Sequence, residues 1–181
     1  MATTTRATIQ DLYATPGKAE LVDGQVVPMP PSGDMPNRTS LAIASSLRQH
    51  ERRTGSGFAY TDNVGYRVDL PHRESFSPDA SYYTGKRTGL RFLEGAPTFA
   101  VEVRSEYDYG GAAEEAMRRK RADYFAAGTL VVWDVDLFSQ DVVRVYRASA
   151  PDTPTIYRRG EVAEAEPAVP GWRMPVDDIF D

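Results

Sequence analysis

The chain has 181 residues, a length that one domain of roughly 100–200 residues accounts for, and 41% of them are apolar, enough to build a sizeable core. Lys and Arg total 21 against 26 Asp and Glu, so the net charge is −5; a uniformly basic nucleic-acid-binding coat is excluded and any basic footprint is local. With no Cys and only His50 and His72, the chain is closed to disulfides, thiolate zinc sites, iron–sulfur clusters and thiol nucleophiles, which leaves carboxylates and oxygen-ligated hard cations.

No apolar run approaches the roughly 18 residues of a membrane span, and the opening residues lack the apolar stretch of a signal peptide; the reading is cytoplasmic. Disorder is expected only at the ends. In chain order, Thr8 and Asp11 have the spacing of a capping box on a short helix that Pro16 and Gly17 would stop. Glu20-Leu21-Val22 and Gln25-Val26-Val27 flank Asp23-Gly24, a pair that takes positive φ readily and closes a β-hairpin. The proline-rich segment from Met29 to Gly33 is a connector. A helix from about Pro36 to Arg53 follows, with Ile43, Leu47 and His50 on one face, ended by Gly55-Ser56-Gly57.

Alternation of Tyr60, Val64, Tyr66 and Val68 with polar residues predicts a strand from Phe58 to Leu70, bent at Gly65. Pro78 to Tyr83 reads as a short strand, residues 84–95 as a mobile basic loop, and Thr98 to Arg104 as a central strand. Ala112 to Ala127 is a helix with Glu114–Arg118 and Glu115–Arg119 at pairing distance and Gly128 at its end. Thr129 to Asp136 and Val142 to Arg147 form a further strand pair, and strand, helix, strand implies a right-handed crossover. A proline-rich and then acidic stretch leads to Pro170-Gly171-Trp172 and a final helical turn at Val176 to Phe180. The whole predicts a single mixed α/β domain over residues 1–181, a mixed sheet flanked by helices with an N-terminal hairpin.

Three residues break the expected pattern. Asp79 follows Pro78 at a strand start, Glu102 interrupts an apolar strand, and Lys120 shares a helix face with Met117 and Tyr124. An unpaired buried charge costs several kcal/mol, so Lys120 either snorkels to solvent or meets carboxylates such as Asp79 and Glu102. A plain turn aspartate at Asp79, a structural ion pair at Glu102 and a solvated lysine at Lys120 are the alternatives.

The motifs Glu20-Leu21-Val22-Asp23-Gly24, Ser77-Pro78-Asp79, Val101-Glu102-Val103-Arg104-Ser105, Lys120-Arg121-Ala122-Asp123-Tyr124, Val132-Trp133-Asp134-Val135-Asp136 and Pro170-Gly171-Trp172 occur in this order along nearly the whole chain. In that order the chain resembles the Uma-type restriction-endonuclease-like family, a branch of the PD-(D/E)xK nuclease superfamily. The resemblance implies a restriction-endonuclease-like fold in which Asp79, Glu102 and the Val103 carbonyl ligate Mg²⁺ or Mn²⁺. Lys120 would be the motif lysine, carried on the helix instead of the strand, and Glu20 an additional acid near the metal. DNA or another nucleic acid is the implied substrate and a homodimer the implied assembly. The chain departs from the pattern at Arg104, which stands where the lysine is usually found; it cannot act as a base but can fork a phosphate. Arg38 is retained near the start of the long helix and is the second candidate substrate contact. Lys86, Arg87 and Arg91 together with Arg118, Arg119 and Arg121 are the candidate basic rim. A catalytically silent binding or assembly module on the same scaffold, or a hydrolase of small phosphoesters, fits the same residues.

Overall fold

The computed structural model describes residues 6–181, so the disorder expected at the start of the chain falls on residues 1–5, outside the described residues. Thr8 caps α1 (Ile9–Ala14) through the reciprocal bonds with Asp11 that the spacing predicts. β1 (Ala19–Val22) and β2 (Gln25–Pro28) form the predicted hairpin, with Val22 opposite Gln25. Asp23 at φ 52° and Gly24 at φ 71° supply the two left-handed residues that a two-residue turn of matching twist requires. α2 (Asp34–Thr54) is the long helix, closed by Gly55 at φ 64°.

The run expected as one bent strand is two strands, β3 (Phe58–Thr61) and β4 (Tyr66–Leu70), in different sheets; the chain turns between them at Asn63, whose φ is 64°. β5 (Arg73–Phe76), too polar to stand out in the sequence, and β6 (Ala80–Tyr83) follow. The basic loop is shorter than expected because Leu93–Glu94 is a two-residue strand, β7, beside β4. Next come β8 (Phe99–Val103), α3 (Gly111–Ala126), β9 (Val131–Val135) and β10 (Val143–Arg147). The proline-rich stretch is β11 (Ala150–Tyr157), an edge strand, where Pro151 and Pro154 are tolerated because one side of the strand has no ladder to donate to. β12 (Val162–Glu164) and β13 (Arg173–Pro175) pair with each other, and a 3-10 helix, Val176–Phe180, closes the chain.

One sheet has the strand order β2-β1-β5-β4-β7 and the other β11-β10-β9-β8-β6-β3. In the second, β8 and β9 run parallel and are joined through α3, the strand–helix–strand unit expected from the sequence, whereas β6 is antiparallel to β8. Period-two alternation then sorts the side chains of β8 and β9. Phe99, Val101, Val103, Val131, Trp133 and Val135 pack with Ile43 and Leu47 of α2, while Ala100 and Val132 pack with Tyr124 of α3 on the opposite face. Glu102 and Asp134 follow the parity of Ala100 and Val132, so both acids belong to the α3 face.

The α2 face is keyed by Trp133 and Trp172, whose ring centroids lie 5.0 Å apart, with Phe99 5.3 Å and 5.6 Å from them. Trp172 also donates Nε1–H to Ser46 of α2 at 3.0 Å and so fastens the C-terminal segment to the helix. Trp172→Ala is expected to cost about 4 kcal/mol by opening a cavity under the C-terminal segment. That corresponds to a fall in melting temperature of about 10 °C, read by calorimetry.

Candidate active site

The sheet register brings the acids together. β6 and β8 pair Ala80 with Val101, so one step further along the same ladder Asp79 stands opposite Glu102; the Asp79 N–H still donates to the Val101 carbonyl at 3.0 Å. β3 and β6 pair Thr61 with Ala80, so the next step sets Asp62 opposite Asp79. β8 and β9 pair Glu102 with Asp134. Asp62, Asp79, Glu102 and Asp134 therefore form a row across the ends of four neighbouring strands. Like charges placed directly opposite each other repel, so the row requires cations.

Each requirement is met by a named side chain. Lys18, in the link before β1, reaches Asp62 at 2.6 Å and Asp79 at 2.7 Å. Lys120 reaches Glu102 at 2.9 Å and Glu20 of β1 at 3.1 Å. Tyr124, one turn beyond Lys120 on α3, donates its hydroxyl to the second oxygen of Glu102 at 2.6 Å. The second oxygen of Asp79 accepts the backbone N–H of Val103 at 2.8 Å. The structure thus brings Asp79, Glu102, Lys120, Glu20 and Val103 into one neighbourhood, with the amide of Val103 making the observed contact.

Glu20 is buried and saturated: one oxygen takes the Ser77 N–H at 2.8 Å and the Lys120 ammonium, the other the Arg73 guanidinium at 2.6 Å. Its geometry is that of a residue that holds Lys120 in place. Arg73 continues the network to Asp123 at 2.8 Å, and Asp123 meets His72 at 2.6 Å.

Protonation follows from these partners. Burial pushes the Glu20 carboxyl up, but Lys120 and Arg73 outweigh it and its pKa is lowered. Burial also pushes Glu102 up; Lys120 opposes this, Asp79 and Glu20 reinforce it, and the net direction is upward. Burial alone would lower the two lysines, yet the surrounding carboxylates raise both Lys18 and Lys120, so both are ammonium ions near neutrality. Lys120 therefore acts as a hydrogen-bond donor and positive charge, not as a base. Burial, then the Glu102 and Glu20 charges, hold the Tyr124 hydroxyl well above its ordinary range, so it too remains a donor.

The two candidate substrate arginines are elsewhere engaged. Arg104 shares the face of Glu102, as alternation requires, but its Nε and Nη2 each meet Asp134 at 2.8 Å, and its remaining donors contact Glu114 and the Asp108 carbonyl. It is 5% exposed, and no edge of its fork is left for a phosphate. Arg38 lies on α2, whose buried residues pack on the opposite face of the sheet, and bonds to the Asp181 carbonyl. In the helix half of the candidate rim, the exposed Arg118 and Arg119 share the single carboxylate of Glu115, and Arg121 turns inward, over the Tyr146 ring at 3.9 Å and 3.7 Å from Asp134. Glu114 turns to Arg104 instead of Arg118.

Sequence reasoning missed Lys18 and Asp62. The available signal was that Lys18 is two residues before Glu20 and so projects from the same side of the β1 segment. Among the described residues no three His, Asp or Glu side chains converge as a ready-made metal cage. None of the described helices is long and apolar enough to cross a membrane.

Arg104→Met is expected to destabilise the fold by about 3 kcal/mol, because buried Asp134 would lose both hydrogen bonds of the guanidinium fork and keep only the more distant Arg121 at 3.7 Å. Arg38→Ala is expected to change stability by less than about 0.5 kcal/mol. Urea unfolding of the two variants measures both.

Comparison with known proteins agrees with this architecture. A crystal structure described as a "putative nuclease belonging to DUF820", from Anabaena variabilis, superposes with a TM-score of 0.75 over 96% of this chain and 97% of the other, at 15% sequence identity. At that identity the likeness establishes the fold, which is nuclease-like and mixed α/β. No curated protein sequence matches the chain. The family model Uma2, described as "Putative restriction endonuclease", matches residues 7–177, and the chain belongs to that family.

Proposed function

We propose that the protein is a divalent-metal-dependent nuclease that hydrolyses phosphodiester bonds, most reasonably in DNA, at the Asp79 and Glu102 end of the acidic row. The observation that carries this reading is the pairing of two carboxylates on adjacent strand ends with an ammonium held beside them by a third acid. The donor set fits a hard cation: Asp79 and Glu102 offer carboxylate oxygens, and the Val103 carbonyl is a candidate third ligand beside them. Lys18 already places a positive charge between Asp62 and Asp79, so the row accepts a cation there. When bound, Mg²⁺ or Mn²⁺ would polarise the scissile phosphate and lower the pKa of a coordinated water. Lys120, kept protonated and aimed by Glu20 and Glu102, orients the attacking water and offsets charge developing on the phosphate. Tyr124 fixes the rotamer of Glu102.

The local basic surface for a polyanion is on the β3 side. Arg52, together with Arg48, which pairs with Glu51, lines a groove of about 400 Å³ between α2 and β3, and β3 runs directly into Asp62. Cutting both strands of a duplex calls for two such sites, which a homodimer supplies.

Mg²⁺- or Mn²⁺-dependent cleavage of plasmid and single-stranded DNA is the direct test. Asp79→Ala and Glu102→Ala are each expected to lose about a hundredfold or more of the rate. Equal activity in the wild type and both variants overturns the assignment, and activity confined to small phosphoesters reassigns the substrate. The ion pairs of Lys18 favour the second reading, a catalytically silent scaffold whose acids are already neutralised. Calorimetric titration with Mn²⁺ separates the two. For a metal site, Lys18→Met is expected to bind Mn²⁺ on the order of tenfold more tightly, because Asp79 no longer has to exchange an ammonium for the ion. Absence of binding to both proteins supports the silent scaffold.

A further inference from the structure

A cleft of about 230 Å³ opens between the α1–β1 link and the turns that carry the acids. Its floor is Leu12 and Ala19, and its wall is Tyr13 and Phe92, whose rings meet edge to face at 4.6 Å. Phe92 is fixed there: its N–H donates to the Tyr13 hydroxyl at 3.2 Å, and its ring is so close to Gly65 that a Cβ on that residue would lie 2.6 Å away. Thr15, Asn63 and Ser77 are the polar residues of the lining. The Ser77 hydroxyl is buried and has no hydrogen-bond partner among the described residues. A buried hydroxyl without a partner is disfavoured unless something else satisfies it.

The cleft shares its walls with the acidic row. Ala19 follows Lys18, Asn63 follows Asp62, and Ser77 is two residues before Asp79. Arg91 lies over the Tyr13 ring at 5.2 Å and adds a cation at the aromatic wall. The volume is below the roughly 300 Å³ at which drug-sized pockets begin but several times the roughly 30 Å³ share of one water molecule. A flat, partly apolar ring system with polar edges suits this lining, and a stacked base pair is too large for it.

We propose that this cleft is a subsite for one unstacked nucleobase adjacent to the phosphodiester at the acidic row. The proposal rests on the nuclease reading for its substrate class and adds that the preferred strand is single or locally unpaired. An aromatic wall accepts any base face, and Ser77 and Asn63 supply donors and acceptors to its edge. A base inside a duplex first has to leave the stack, which weakens binding of fully paired DNA.

The test is equilibrium binding of a fluorescein-labelled single-stranded DNA dodecamer to the full chain with Ca²⁺ in place of Mg²⁺, alongside versions with an abasic site at each position in turn. One abasic position is expected to weaken binding about tenfold, with the others near the intact strand. Ser77→Ala is expected to weaken the intact strand about fivefold, to leave that abasic strand unchanged, and not to lower the melting temperature. Uniform binding of all strands, no binding at all, or an equal effect of Ser77→Ala on intact and abasic strands overturns the subsite. A lower melting temperature for Ser77→Ala also overturns it, because the hydroxyl would then have a structural partner. Cleavage is not read in this experiment, so the two ideas fail separately. A protein with the abasic signature that never cuts refutes the nuclease reading alone, and one that cuts but ignores abasic sites refutes the subsite alone.

Discussion

The repulsion among Asp62, Asp79, Glu102 and Asp134 is the constraint around which the rest of the molecule is arranged. The register of β3, β6, β8 and β9 places these acids opposite one another, and no rotamer change can separate them by more than a few ångströms. Their cations therefore have to come from outside the sheet. Lys18 comes from the link before β1, Lys120 from α3, and Arg104 from the continuation of β8 itself. The α1–β1 link and α3 are consequently held against the end of the six-stranded sheet by charge as well as by apolar contact.

The cations are shared, which couples the acids into a chain. Lys18 serves Asp62 and Asp79, Lys120 serves Glu20 and Glu102, Arg73 serves Glu20 and Asp123, and Arg104 serves Asp134 and Glu114. Sharing leaves Glu102 incompletely compensated, since Lys120, its one ion-pair partner among the described residues, also answers to Glu20. That is why burial and the Asp79 charge prevail at Glu102, while Glu20, with Lys120 and Arg73 both beside it, is driven the other way. The asymmetry separates the two: Glu20 is fully engaged in holding Lys120 and Arg73, and Glu102 is left the less compensated of the pair.

Much of this was visible in the sequence for a definite reason. Asp79, Glu102 and Lys120 each violate a local expectation, a charge where a strand or helix face should be apolar, and such violations point to partners. Alternation also placed Arg104 on the face of Glu102. It could not show that Asp134, 30 residues away, occupies the guanidinium fork, because that pairing depends on the parallel register of β8 and β9. Lys18 and Asp62 violate nothing locally: one sits in a polar link after Gly17 and the other in a turn before Asn63. Their importance arises only when β3 pairs with β6. The splitting of the Phe58–Leu70 run was hidden in the same way, since alternation continues across a turn that changes sheets.

The same pairing decides how much positive charge an acidic chain keeps at its surface. Several of the cations, Arg73, Arg104, Lys18 and Lys120, are committed to carboxylates of the protein, and the exposed Arg118 and Arg119 share one, so counting charges overstates what is left for a ligand. Binding of a phosphate backbone depends on cations that release counterions on contact, and those already paired internally release few. Cations without a carboxylate partner among the described residues include Arg52 in the α2–β3 groove and Arg91 beside the Tyr13 ring, whereas Arg48 in the same groove pairs with Glu51. The groove ends at Thr61, next to Asp62, and Tyr13 lines the same cleft as Asn63 and Ser77, so these cations lie on the side of the strand ends that concentrate negative charge. Net charge is silent on this point, because attraction and repulsion act over about a Debye length of 8–10 Å, a smaller scale than the whole molecule.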